Sequence, residues 1–204
     1  MRDQTIEVFL GQLAARMPAP GGGATAALHA AQAAALLAMV ARYSDGAKYD
    51  AAVMGHVIAE ADGIRSDALI LADRDAAAFG AVAQAYRLPK GTEEEKQARS
   101  AAIAEALAGA ARPPADVIRL ALLLVSLAEE LLPAGNRNVI GDVAAAAAAT
   151  RAAVVTSQVN IEVNLSGITD PVVRADIASM TAVADEIAGR TDRVVAAIRS
   201  EIGR

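Results

Sequence analysis

The chain has 204 residues, 54% of them apolar, a net charge of −5 and no cysteine. So much apolar surface excludes a disordered chain, and the missing cysteines exclude a disulfide framework and thiolate chemistry. Acidic and basic residues are mixed along the chain, with no Lys/Arg cluster and no aromatic platform for nucleic acid. The apolar content is mainly Ala, with three Tyr, two Phe and no Trp. Ala is the best helix former and lets helix axes approach closely, but it buries little area per residue. A second subunit that continues the core is therefore expected.

In chain order, Ile6, Phe9, Leu10 and Leu13 set a first helix over residues 3–16. Pro18-Ala19-Pro20-Gly21-Gly22-Gly23 reads as a loop, since two prolines and three glycines suit no helix interior. A second helix is predicted over 24–44. Residues 21–41 carry no charge and could span a bilayer by length, but the Ala- and Gly-rich composition with Thr25, His29 and Gln32 reads as a buried core helix. Asp45-Gly46 is a turn, and a long helix follows over 50–86. Thr92 with Glu95 forms a capping box that opens the next helix. Pro113-Pro114 reads as the first turn of another helix, reaching Leu132. Residues 134–138 form a loop with Gly135 at the helix stop. A helix over 141–165 follows, and Asp170-Pro171 caps and opens a last one to Ile202. No run alternates with period two. The reading is an all-α, compact bundle of long Ala-rich helices, one domain over residues 1–204. The charged, amphipathic N-terminus does not read as a signal peptide, and a cytoplasmic protein is expected.

His29 and His56 belong to no paired metal-ligand motif, and there is no phosphate-binding or dinucleotide fingerprint. Chemistry is then left to carboxylates, amides, Lys and backbone donors. Pro20-Gly21-Gly22-Gly23 ahead of a helix offers N–H groups to an anion or carbonyl oxygen, or simply a tight turn between closely packed helices. Asn136, Asn138 and Asp142 surround the next helix start, where capping is the alternative role. Asn160 and Asn164 share one face of an apolar helix and read as a polar site or interface. Asp75, with Phe79 one turn later, lies in the long helix, where a solvated carboxylate is the plain reading. Lys48, Lys90 and Arg99 are surface charges near loops or helix starts.

Taken in order, PAPGGGATAAL (18–28), AKYD (47–50), ADRDAAAF (72–79), LPKGTEEEKQAR (88–99), GNRNVIGDVAAA (135–146) and NIEVNLSGITD (160–170) resemble the cyclodeaminase/cyclohydrolase family. That family comprises the cyclodeaminase half of formiminotransferase-cyclodeaminase and stand-alone methenyltetrahydrofolate cyclohydrolases. The resemblance implies an all-α homodimer with folate beside the Gly-rich loop, in a cleft open to sharing between subunits. It implies one of two reactions. Water opens 5,10-methenyltetrahydrofolate to 10-formyltetrahydrofolate, or 5-formiminotetrahydrofolate closes to the methenyl form with loss of ammonia. A chain without a transferase domain favours hydrolysis, with a separate formiminotransferase or other folate enzyme as a possible partner. A non-catalytic folate-binding or assembly dimer is the reading from another class.

On this resemblance Asp142 is the leading acid/base residue and Asp75 the second. Gly21, Gly22 and Gly23 with Pro20, and the amides of Asn136, Asn138, Asn160 and Asn164, fix water and the pterin. Lys48, Lys90 and Arg99 meet the anionic glutamate tail. No metal or prosthetic group is called for, and tetrahydrofolate enters only as substrate. The chain departs from the family pattern at Ala19 and Ala24, which stand for hydroxyl residues, and at Gly141, where Ser commonly precedes the aspartate. Only one lysine, Lys48, precedes Tyr49.

Overall fold

The computed structural model describes residues 3–202, and among them every regular element is helical. In order these are α1 (Ile6–Ala14), α2 (Gly22–Arg42), α3 (Ala51–Ala85), α4 (Glu93–Ala134), a 3-10 turn (Arg137–Val139), α5 (Ile140–Leu165) and α6 (Pro171–Ile202). The expected all-α bundle is what forms.

The helix starts follow from local chemistry. The Asp50 carboxylate accepts from Ala52 and Val53 N–H and opens α3. Thr92 Oγ1 accepts from Glu95 N–H while Glu95 Oε2 accepts from Thr92 N–H, the reciprocal capping box that opens α4. Asp170 does the same for Val172 and Val173 at the head of α6. Helix α1 is shorter than its apolar spacing predicts, starting at the Thr5 cap, and buries no residue.

Two boundaries differ from the sequence reading. Gly22 and Gly23 are the first turn of α2, not loop, because Gly21 is extended at φ −139° and supplies the N-cap. A first turn has N–H groups without helical partners in any case, so glycine costs little there. Pro113 and Pro114 also do not begin a helix. They lie buried inside α4, which runs unbroken for 42 residues, and Pro133 sits in its last turn. A proline within a helix removes one hydrogen bond and costs ~3 kcal/mol. Here α4 packs against α2, α3, α5 and α6 together, and that burial outweighs the local loss.

Helix α2 is the centre. Nine of its alanines, from Ala24 to Ala41, are at most 7% exposed, which brings its backbone close to α3, α4 and α5. Leu37, Val40, Val57, Leu124 and Leu131 fill the larger spaces. A second cluster, with Ile118, Ile161, Ile168 and Ile187, joins α4, α5 and α6. The Arg190 guanidinium adds a fork on Glu129, 2.9 Å and 2.6 Å, between α6 and α4, and holds that carboxyl below its usual range. Both α2 and α5 are long and apolar enough to cross a membrane by length and composition. The apolar stretch of α2 is 61% buried in the bundle, and the one that ends in α5 is 39% buried.

The α4–α5 turn is pinned to the end of α2. Asn136 N–H donates to Ser44 Oγ at 2.9 Å, and Asn136 Nδ2 donates to the Tyr43 carbonyl at 2.6 Å. Its Oδ1 accepts from Asn138 N–H. Gly135 lies against this junction, where a Cβ would stand 2.8 Å from the Leu131 carbonyl and 3.4 Å from Val40. Asn136→Ala should therefore destabilise the fold by ~1–3 kcal/mol through unpaired partners, and Gly135→Ala by ~1–3 kcal/mol through overpacking. Urea unfolding followed by circular dichroism measures both; a loss under about 0.5 kcal/mol in each would remove the pin.

Candidate functional site

Among the described residues, several of the predicted ones converge around a cleft at the mouth of α2. Gly21 has no side chain to cap the helix, and the role is taken by Asp75 from the middle of α3, whose carboxylate accepts from the Ala24 N–H. The contact depends on Gly23, because a Cβ there would overlap the Asp75 carboxylate outright. Gly22 is different. A Cβ at Gly22 would meet Asn160 and Thr156 at ordinary van der Waals distance, 3.6 Å and 3.7 Å.

A cleft of about 190 Å³ opens at this point. The Gly-rich segment, with Pro18 and Ala19, forms one wall, and Asp75, Phe79 and Val82 follow one another along α3. Asn160, Val163 and Asn164 come from α5, and Ala110 from α4. Asn160 Nδ2 donates to the Thr156 carbonyl and Asn164 Nδ2 to the Asn160 carbonyl, both at 2.8 Å. These bonds hold the amides by their nitrogens and do not use their oxygens. Phe79 is 49% exposed, and it gives the cleft a flat apolar surface.

The electrostatics centre on Asp75. Burial raises its pKa above the ordinary carboxylate value, and the Ala24 N–H bond opposes that only in part. A carboxyl that is desolvated, yet held at the positive end of a helix, can exchange a proton closer to neutrality than a surface aspartate can.

The remaining predicted residues lie elsewhere. Pro20 precedes the N-cap and is half-buried. Lys90 is exposed at the tip of the α3–α4 hairpin. Arg99 closes that hairpin: its guanidinium donates to the Tyr86 carbonyl at 3.2 Å and stacks over the Tyr86 ring at 5.6 Å. Asn136, Asn138, Asp142 and Lys48 gather at the opposite end of the bundle. Gly22 meets Asn160 while Tyr43 meets Asn136, so α2 and α5 are antiparallel, and the 18 residues from Asp142 to Asn160 span about 27 Å. Within one chain, then, Asp142 and the Gly-rich mouth do not share the pocket that the motif order suggested, because order along the chain carries no distance. Asn136 has its amide committed to the α2 pin, and Lys48 lies over the Tyr49 ring at 4.8 Å. Conversely, Phe79, Val82, Ala110 and Val163 line the cleft without having been singled out as site residues; an exposed aromatic one turn after Asp75 was the available signal for Phe79. A larger groove of about 610 Å³ uses another face of α3 and α4, with Glu105 and Arg112 among alanines. It gathers none of the predicted residues. Among the described residues no group of three or more His, Asp or Glu is placed to hold a metal ion.

Residues 5–182 match the family model described as formiminotransferase-cyclodeaminase. The chain belongs to this family. A methenyltetrahydrofolate cyclohydrolase of Methylorubrum extorquens is 39% identical over 172 residues, 82% of each chain. A formimidoyltransferase-cyclodeaminase of Rattus norvegicus is 34% identical over 83% of this chain, which spans only 32% of that longer protein. The crystal structure of formiminotetrahydrofolate cyclodeaminase from Thermotoga maritima superposes with a TM-score of 0.86, at 29% identity and 98% coverage of both chains. The fold and its family are those that the six ordered segments resemble.

Two substitutions separate function from packing here. Gly23→Ala should expel the Asp75 carboxylate and lower turnover at least ~100-fold, as misplacement of a reacting group by about 1 Å does, while Gly22→Ala keeps activity within a few-fold. Equal effects of the two would deny Gly23 its special place. Asp75→Asn should raise the melting temperature at neutral pH. The sign follows from burial: a raised folded pKa stabilises fully below the unfolded value and is lost as pH rises through the folded one. The advantage of Asp75→Asn in scanning calorimetry should therefore vanish below pH ~4, the unfolded value, and grow above it.

Proposed function

We propose that the chain hydrolyses 5,10-methenyltetrahydrofolate to 10-formyltetrahydrofolate, with Asp75 as the proton-transfer group. The observation that carries this is the half-buried carboxylate at the mouth of α2, facing a cleft with an exposed aromatic ring and two anchored amides. The 39% identical relative, named as a cyclohydrolase, supports the same reaction.

The chemistry suits those groups. The methenyl carbon lies between two nitrogens in an amidinium-like cation, which a carboxylate attracts. Water adds to that carbon while Asp75 takes its proton, giving a neutral tetrahedral carbinolamine. The bond to N5 then breaks, N5 recovers a proton, and the formyl group stays on N10; one proton is released for each water consumed. General-base help of this kind is worth ~10²–10⁴ in rate. Phe79 offers a stacking surface to the pterin or its aminobenzoyl ring. The Asn160 and Asn164 oxygens can accept from the pterin's amino and ring N–H groups. Lys90, exposed at the tip of the α3–α4 hairpin, is the lysine we assign to the anionic tail.

A second reading is the cyclodeaminase reaction, favoured by the structural match to the Thermotoga maritima enzyme. There N10 attacks the formimino carbon and ammonia leaves from the same kind of tetrahedral centre, so the same carboxylate can move the proton. The joint name of the rat relative points to a transferase as the supplier of that substrate.

The test follows the absorbance of methenyltetrahydrofolate in the presence of the purified protein, with ammonia release from formiminotetrahydrofolate as a second assay. The expected outcome is rapid decay of the methenyl chromophore and little ammonia. Asp75→Asn should slow turnover ~10²–10⁴-fold. The wild-type rate should fall on the acid side at a pH above that of an ordinary carboxylate, since the base must be ionised and its pKa is raised. Absence of both activities in a folded preparation refutes the enzymatic reading.

A further inference from the structure

We infer that the backbone carbonyl of Ala110, set free by the paired prolines of α4, is a substrate contact that accepts an N–H from the aminopyrimidine edge of the pterin. The inference rests on the proposed folate reading and adds to it a residue that selects the ligand by its donors.

The observation lies in the backbone of α4. In an α-helix the carbonyl of residue i accepts from the N–H of residue i+4, and in a tighter 3-10 turn from residue i+3. For Ala110 those two residues are Pro114 and Pro113, and neither has an N–H. The next donor along, the N–H of Ala115, belongs to Ala111 in the regular ladder. No other position in α4 is deprived in this way. Gly109 loses only the i+4 donor, to Pro113, and Glu129 only its own, to Pro133. The helix nevertheless runs on through Pro113 and Pro114, both of which are buried. Among the described residues no side chain donates to the Ala110 carbonyl.

A buried carbonyl needs a partner. Ala110 is 8% exposed, and the space it borders is the cleft, which it lines together with Asp75, Asn160 and Asn164. The ring of Pro114 clashes with this carbonyl and turns it outward from the helix axis, on Ala110's own side of α4. Gly109 is the contrast. It borders the larger groove and is exposed, so water completes its carbonyl.

The cleft then holds three neutral oxygens free to accept: the Ala110 carbonyl and the side-chain oxygens of Asn160 and Asn164. The 2-amino-4-oxopyrimidine edge of a pterin offers three N–H hydrogens side by side, two on the amino group and one on the adjacent ring nitrogen. The counts match. A ring with a carbonyl oxygen in place of the amino group would set acceptor against acceptor and leave both unpaired, which is how such a wall rejects it. The double proline thereby acquires a use. Two ladder bonds are given up at one point of α4, and the carbonyl that is buried there meets the ligand.

The test compares two substitutions that are alike for folding and unlike for the cleft. Pro114→Ala returns an N–H that the helix bonds to Ala110, whereas Pro113→Ala returns one to Gly109 and leaves Ala110 free. Each removes one buried ring and restores one helical bond, so both variants should fold by circular dichroism, with melting temperatures that move together. Pro114→Val, which keeps apolar bulk and also supplies the N–H, repeats the measurement should the alanine variant fail to fold. Binding is read by anaerobic isothermal titration with tetrahydrofolate and with its 2-desamino-2-methyl analogue. Pro114→Ala should weaken tetrahydrofolate binding about tenfold, as expected when a buried donor goes unpaired. Its kcat on methenyltetrahydrofolate should stay within about threefold of wild type, because the contact serves binding. Pro113→Ala should bind within about twofold of wild type. The wild type should bind the analogue about tenfold more weakly than tetrahydrofolate, and in Pro114→Ala that gap should fall to about threefold or less, since donor and acceptor belong to one bond. A loss under about threefold in Pro114→Ala, equal losses in the two variants, or an analogue gap that persists in Pro114→Ala overturns the assignment to Ala110. A wild type that binds tetrahydrofolate but turns over neither substrate sinks the proposed reaction and leaves the contact standing. One that binds no folate removes both.

Discussion

The contact between the Asp75 carboxylate and the first turn of α2 is the constraint around which the site is organised. It needs three things at once. An N–H must be unclaimed by the helix, which only the first turn provides; the backbone must have no Cβ at position 23; and α3 must approach closely enough for a short side chain to reach. The last is met by alanine. Ala24, Ala27, Ala31 and Ala34 of α2, with Ala61, Ala68 and Ala72 of α3, are all nearly or wholly buried, and side chains of one methyl let the two axes come together. The low aromatic content and the reach of Asp75 thus have one physical origin.

That solution carries a cost. A buried methyl contributes only ~0.8 kcal/mol, so an alanine core gains stability through length. Helices α3 and α4 are 35 and 42 residues long. Beyond Asp75 the arm they form buries only Ala85 on the α3 side, and on the α4 side nothing before Ala110. It is held instead by its tip, where Thr92 and Glu95 cap and Arg99 clamps Tyr86. Burial disfavours the charged form of Asp75, and the Ala24 N–H opposes that in part. A carboxyl desolvated beside a cleft is a candidate functional residue.

Local chemistry was legible in the sequence where one residue decides the outcome: the caps at Thr92 and Asp170 and the stop at Gly135. It was misleading where many weak contacts outvote one strong rule. Pro113 and Pro114 read as a helix start because the proline rule is local, yet four neighbouring helices keep α4 continuous. The site was half legible. Asn160, Asn164, Asp75 and the glycines do meet, and six ordered segments pointed to the family. The distance between Asp142 and Gly23 was not legible, because helix lengths and the antiparallel course of α2 and α5 set it, and no motif encodes those. Asn136 resembled a ligand for the reason it is a good pin: an amide with one acceptor and two donors serves either role.

The three hydroxyls that this chain lacks relative to its family do not weigh equally. Ala24 is fully buried, so a hydroxyl there would turn back to the helix's own carbonyls rather than reach a substrate; what position 24 gives the site is its backbone N–H, which any residue supplies. Gly141 is exposed at the far end of α5 from the cleft, so within one chain a hydroxyl there would face solvent rather than the cleft. Ala19 is the exception, because it lines the cleft beside Asp75. A hydroxyl there could have donated to the carboxylate or to a bound oxygen, and one such bond is worth ~0.5–1.5 kcal/mol, a few-fold to roughly tenfold in affinity or rate. The drift in the motif therefore falls on a single position of consequence, and it leaves the carboxylate, the helix mouth and the two amides in place.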